Sequence, residues 1–157
     1  MKILFLLQFI VLSQVYCDFA SDITSAHNKY RKSLRDGTDI NQPQALTMPD
    51  LQWDEKLAIS AQNYANECSY SYSSTAYRID SRFDVGENIA VSGTGNAKAS
   101  VDYWYSFSAG YNYTVNTCSS CRPYLQLAWA NSTYMGCGTK SCTSPFTAKV
   151  IICHYGP

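Results

Sequence analysis

The chain has 157 residues, with 12 basic and 12 acidic side chains and a formal net charge of zero at pH 7. That length suits one domain with a core of its own. The even charge balance gives no electrostatic reason to expect nucleic acid or an anionic membrane surface as partner. Tyrosine is abundant, at 13 copies; its ring suits surfaces that are part apolar and part wet, but it identifies no particular ligand.

Lys2, the apolar run Ile3–Leu12 broken only by Gln8, and the small residues Val15 and Cys17 have the form of a secretory signal peptide. The expected leader is 1–17, cleaved before Asp18, leaving one domain over 18–157. The apolar run is shorter than the roughly 20 residues of a spanning helix, and no later stretch is longer, so the chain is not expected to span a membrane. Ile23, Ala26, Tyr30 and Leu34 recur at helical spacing, with Ser21 or Asp22 able to cap the start and Gly37 the end. Thr38–Pro49 reads as a loop. A second helix is predicted over Asp54–Cys68, with Leu57, Ala61, Tyr64, Ala65 and Cys68 on one face. Asp54 and Glu55 fall in its first turn, where the helix dipole favours negative charge. As adjacent helical residues they do not face each other, so they are not a catalytic carboxylate pair.

Ser69–Ser81 and Val91–Asn96 read as loops. A third helix is predicted over Asn96–Ala109, with Ala97, Val101, Trp104 and Tyr105 inward. Cys118–Arg122 is a tight, cysteine-held turn. Tyr134–Thr139 and Thr147–His154 read as two strands joined at Ser144-Pro145, and Val150, Ile151 and Ile152 form the β-branched run of a buried strand. Helices followed by a terminal hairpin predict a layered α+β domain.

Seven cysteines are present, and Cys17 would leave with the leader. The remaining Cys68, Cys118, Cys121, Cys137, Cys142 and Cys153 imply three disulfides in an exported chain, though spacing does not choose the pairing. Cys118-x-x-Cys121 raises a zinc site, but a ribbon needs a second such pair and Cys137 to Cys142 is spaced differently. Asn112-Tyr113-Thr114 and Asn131-Ser132-Thr133 are acceptors for N-glycosylation. Nucleophile motifs are absent: no GxSxG occurs, and no cysteine is free if all six pair. Gly93-Thr94-Gly95 is too short to cradle a phosphate.

Several strings, taken in order, resemble one known family. They are His27-Asn28-Lys29-Tyr30-Arg31, then Trp53 to Ala58 with Ala61-Gln62 and Cys68, and Gly86-Glu87-Asn88-Ile89-Ala90. Trp104-Tyr105 with Tyr111-Asn112-Tyr113 follows, then Tyr124 to Ser132, Gly136-Cys137-Gly138 and Ile152 to Pro157. Together they resemble the CAP superfamily (SCP/TAPS), and most of all the venom-allergen-like proteins of parasitic worms. The resemblance implies an α-β-α sandwich with a central antiparallel sheet and three disulfides. It also implies the pairs Cys68–Cys142, Cys137–Cys153 and Cys118–Cys121.

Many members of that family carry two histidines and two glutamates in a cleft that can hold a divalent metal. Of these positions only Glu87 is kept; Tyr72, Phe107 and Pro123 stand at the other three. The resemblance therefore implies no catalytic group, metal or cofactor. Glu87 is expected to hydrogen-bond loop amides or a tyrosine such as Tyr72, and His27 and His154 to be structural. A secreted, non-catalytic binding module for a fatty acid or other lipid is the reading that remains. Tyr30, Leu34, Val101, Trp104, Tyr105 and Phe107 are candidates for an apolar slot, against the plainer reading that residues at this spacing form core. The alternative is an extracellular protein–protein contact with a host receptor or immune component, and a hydrolase comes last. The chain stops at Pro157 without a cysteine-rich tail, so the channel modulation tied to such a tail in some relatives is not expected.

Overall fold

The structure is a computed structural model that describes residues 2–93, 95–144 and 147–157, with side chains from Asp18 onward. Helix α1 (Lys2–Asp36) runs without a break. The helix passes through Ser21 and Asp22, so these two lie inside it instead of capping its start. Gly37 ends the helix in the left-handed region, at φ +69°, a conformation that suits glycine because it lacks a Cβ.

Helix α2 (Glu55–Asn66) starts where Asp54 accepts the Leu57 N–H, and it stops two residues short of Cys68. Helix α3 (Ala97–Ser106) is capped by Asn96, which accepts the Ala99 N–H. It ends earlier than its expected limit at Ala109 because the chain tightens into a 3-10 turn over Phe107–Gly110. A short helix α4 (Arg122–Leu127) follows the cysteine-held turn, with Pro123 near its start.

The main sheet has the order β1-β5-β6-β2. Its strands are β1 (Gln52–Trp53), β2 (Gly86–Ser92), β5 (Tyr134–Cys142) and β6 (Ala148–Gly156). It is mixed, which corrects the expectation of an antiparallel sheet: β1 runs parallel to β5, while β2 and β5 flank β6 antiparallel. Strand β2 runs through the segment expected to open a loop at Val91. A small ribbon of β3 (Tyr111–Asn112) and β4 (Thr117–Cys118) stands apart. The hairpin turn expected at Ser144-Pro145 has Pro145 outside the described residues, as is Thr94 of the glycine string.

The sheet lies between helices on both faces, an α-β-α sandwich. Along β6 the side chains alternate: Ile151, Cys153 and Tyr155 join the core under α1 and α3 with Val101, Trp104 and Leu127. Val150 and Ile152 join the core under α2 with Ala61, Tyr64 and Ala65. This is the period-two alternation of a strand buried on both faces. Gly136 and Gly138 let α2 rest on β5, since a Cβ there would lie 2.1 Å from Ala58 N and 2.3 Å from Gln62 Cα.

Three disulfides form, and only the first joins two layers. Cys68–Cys142 ties the end of α2 to the end of β5, Cys137–Cys153 joins paired positions of β5 and β6, and Cys118–Cys121 closes the short turn before α4. On the chain-entropy account the first two contribute about 4 and about 3 kcal/mol, and the third about 1.5 kcal/mol.

Candidate functional site

Strand register creates one polar cluster. Glu87 on β2 pairs directly across from His154 on β6, and both side chains point toward α2. Glu87 Oε2 accepts from His154 Nε2 at 3.0 Å, and Glu87 Oε1 accepts from the Ser73 backbone N–H at 2.7 Å. The other ring nitrogen of His154, Nδ1, lies 2.5 Å from Ser60 Oγ on α2. Burial pushes the Glu87 carboxyl up, but the hydrogen bonds from His154 and Ser73 outweigh it and hold the pKa below its ordinary value. The carboxylate thus takes a loop amide, one of the partner kinds expected of it, and takes His154 in place of Tyr72. The sequence offered no acid in evident partnership with a histidine, because the pairing is made by register between segments 67 residues apart.

Ser60, His154 and Glu87 have the composition of a nucleophile, base and acid, but the geometry differs from a working triad. His154 is fully buried, and neither it nor Ser60 lines any of the four described cavities. Ser60 Oγ donates to the Tyr77 carbonyl at 3.0 Å. The cluster's chemistry is to bind α2, β2, β6 and the segment around Ser73–Tyr77 to one another. The remaining positions matched to the family's cleft make contacts that bring no metal ligand or general acid to Glu87. The Arg122 guanidinium lies 4.7 Å over the Tyr72 ring. Phe107 meets Tyr103 edge-on at 5.0 Å. Pro123 contributes only its carbonyl, which accepts from Asn88 at 3.0 Å. Among the described residues, no group of three or more His, Cys, Asp or Glu side chains is placed to hold a metal ion.

His27 and Arg31, one helical turn apart on α1, are the second buried polar set. His27 Nδ1 donates to Ile23 O at 2.7 Å, and Nε2 meets Tyr155 Oη at 2.8 Å. Burial lowers its pKa to about 4, so the ring is neutral at pH 7. Arg31 is also fully buried. It donates to the carbonyls of Pro49, Leu127, Trp129 and Ser132 at 2.8–3.0 Å. Burial brings its pKa down to about 10, which leaves it charged at pH 7. A single guanidinium therefore fixes the backbone on both sides of the open groove described below.

The six residues expected to line a slot do not share a cavity among those described. Val101 and Trp104 are sealed in the core, Trp104 Nε1 donates to Ile89 O at 2.9 Å, and Leu34 faces a separate cavity at the end of α1. Tyr30 stacks on Tyr105 with ring centroids 3.9 Å apart, while Phe107 packs beside Leu34, Met48 and Tyr124. The hydroxyls of Tyr30 and Tyr105 are held by Asp102 and Asp39. A cavity of about 400 Å³ does lie between α1 and α3, but of the six residues only Tyr30 lines it, beside the polar Asp22, Ser25, Lys29, Lys98 and Asp102.

An open apolar space lies instead at the far end of α1. It has a volume of about 460 Å³, within the range of small-ligand pockets. Leu34 and Met48 form its floor, Ala45 and Leu46 one wall, and Tyr111, Tyr113, Tyr124, Leu125, Ala128 and Trp129 the other. Leu46 is 100% exposed, Tyr113 63% and Trp129 54%, so its rim is apolar and faces solvent. The walls are held by hydrogen bonds. Ala45 N donates to Leu34 O at 2.9 Å, Gln42 Nε2 donates to the Ser108 and Tyr111 carbonyls, and Arg31 fixes the Trp129 side. Both sequon asparagines are exposed beside it: Asn131 lines the groove and Asn112 sits between Tyr111 and Tyr113. Leu34, a slot candidate, and Tyr111, Tyr113 and Tyr124, from the strings that resemble the family, all line this place, but no sequence signal joins them into one groove.

A family model described as CAP, cysteine-rich secretory protein family, matches residues 24–155. Among curated proteins the chain is 35% identical to pathogenesis-related protein 1 of Arabidopsis thaliana over 142 residues, covering 89% of this chain and 77% of that protein. It is 33% identical to a venom allergen 3 homolog of Dinoponera quadriceps, covering 86% of this chain and 65% of that protein. The chain thus spans about two thirds of the length of such insect relatives. Among solved structures it is similar to Schistosoma mansoni venom allergen-like protein 4, with TM-score 0.80, 27% identity and 88% of each chain covered. The helix-sheet-helix layering, the three disulfides and these matches lead to one conclusion: the chain belongs to the CAP family of cysteine-rich secretory proteins.

Proposed function

We propose that the protein is exported, with residues 1–17 removed before Asp18, and that it acts outside the cell as a non-catalytic binding module for a fatty acid or other lipid. The observation that carries this reading is the solvent-open apolar groove with its exposed rim of Leu46, Tyr113 and Trp129. A soluble chain exposes contiguous apolar surface of this kind where something binds. The chemistry-bearing residues support the non-catalytic half. Glu87 is engaged by Ser73 and His154, and Tyr72, Phe107 and Pro123 offer no metal ligand at the positions matched to the family's cleft. Three disulfides fit an oxidising compartment, and exposed Asn112 and Asn131 would carry glycans there. A second reading, an extracellular protein–protein contact, draws on the same exposed aromatics, since tyrosine and tryptophan are enriched where proteins dock.

Native mass spectrometry of the protein secreted from eukaryotic cells tests this. The expected spectrum shows a chain starting at Asp18, three disulfides, glycan mass, and a lipid-sized mass released on denaturation. A ligand-free protein that binds no lipid but saturably binds an extracellular protein would replace the first reading with the second.

A further inference from the structure

Cys118–Cys121 differs from the other two disulfides in three ways. It closes a sequence separation of only 3, against 74 and 16, so it adds little to stability. Its two residues are unequally placed: Cys118 is exposed at the end of β4, while Cys121 is fully buried. Cys137, Cys142 and Cys153 are all buried and Cys68 is half-buried. Finally, the Cys121 backbone N–H donates to Cys118 Sγ at 3.2 Å. A donor aimed at sulfur favours its thiolate over its thiol.

The turn is also shaped by bonds other than the disulfide. Ser119 N donates to Gly110 O at 2.7 Å, and Cys121 O accepts from Leu125 N at 3.0 Å. Strands β3 and β4 pair Tyr111 with Cys118 and Asn112 with Thr117. None of these bonds runs through the sulfurs, so the turn has a backbone framework that does not depend on the S–S bond.

We propose that Cys118–Cys121 is a thiol–disulfide exchange site that oxidises a dithiol arriving from solvent. A substrate thiolate attacks the exposed Cys118 sulfur. The Cys118–Cys121 bond breaks, a mixed disulfide forms on Cys118, and Cys121 leaves as a thiolate that takes a proton. The second substrate thiolate then attacks the substrate sulfur of the mixed disulfide. The substrate disulfide forms and Cys118 is expelled as a thiolate, with the Cys121 N–H aimed at the departing sulfur. Two electrons pass from the dithiol to the protein pair.

The test equilibrates the intact secreted protein in glutathione buffers of increasing reducing strength, blocks free thiols by alkylation, and maps them by peptide mass spectrometry. Cys118 and Cys121 should be alkylated first, at a poise that leaves Cys68–Cys142 and Cys137–Cys153 closed. With oxidised glutathione, Cys121→Ser should trap one glutathione on Cys118 at least ten times faster than Cys118→Ser traps one on Cys121. A reduced dithiol peptide should become oxidised with the wild type and not with the double serine variant. Reduction of all three disulfides together, or equal trapping by the two single variants, would overturn the proposal. The mapping on wild-type protein decides the matter even if a variant fails to fold.

Discussion

The two sides of the sheet treat polar and apolar groups in opposite ways. Under α2, Glu87, His154 and Ser60 have the chemistry of an active site, but the histidine between the other two is fully buried and neither it nor Ser60 lines a described cavity. At the end of α1, Leu46, Tyr113, Trp129 and Tyr124 have no reactive chemistry and an open cavity of about 460 Å³. Reactive residue types in a suggestive row are therefore a poor guide to function unless a substrate can reach them. In this molecule the polar groups hold the sandwich together, and the apolar surface is where a partner can arrive.

Breaking the polar framework should have the largest effects. Arg31→Met strands four backbone carbonyls at once, and the expected loss is on the order of 4 kcal/mol in urea unfolding. A change under 1 kcal/mol would show that the loops hold themselves. Glu87→Ala leaves His154 and the Ser73 N–H without their acceptor inside the protein, with an expected loss of about 3 kcal/mol. If that variant is as stable as the wild type, the cluster is not the structural tie described.

A pH titration sharpens the same point without mutation. His27 has a folded pKa of about 4 against an ordinary value of 6.5. Below pH 6.5 the unfolded chain takes up a proton that the folded chain refuses. His27's contribution is therefore complete above pH 6.5 and drains away as pH falls toward 4, by up to about 3 kcal/mol. Glu87 is also depressed, so its contribution is present above the ordinary carboxylate range and is lost only at lower pH, as it takes up a proton in the folded state. Stability should thus fall in two steps on acidification, and His27→Gln should remove the upper one. A single step confined to the carboxylate range would contradict the neutral, buried histidine.

The smallest effect on stability belongs to the groove. Leu46→Asp alters a fully exposed side chain and should shift unfolding by no more than about 0.5 kcal/mol. It should nevertheless weaken binding of an apolar ligand at least tenfold.

What the sequence reveals depends on how local the signal is. Leu57, Ala61 and Tyr64 repeat at helical spacing and mark α2, and Val150 to Ile152 mark β6. Strand β2 was less legible because Glu87 and Asn88 are both buried, on opposite faces of the strand, so no polar–apolar alternation appears. Helix α4 spans only six residues, too few for a period to show. The even cysteine count spoke for three disulfides. The groove was largely invisible, since its residues come from α1, the loop after it, the β3 region, and α4 with its exit. The Tyr30–Tyr105 stack shows the converse: residues with the right spacing for a slot also have the right spacing to fill it.

The most direct measurement is a titration of a fluorescent fatty acid into three proteins: wild type, Leu46→Asp and Ser60→Ala. The account predicts saturable binding to the wild type, at least a tenfold loss in Leu46→Asp, and undiminished binding in Ser60→Ala. Binding that survives Leu46→Asp but fails in Ser60→Ala would place the functional site under α2 and contradict the division of labour between the two faces.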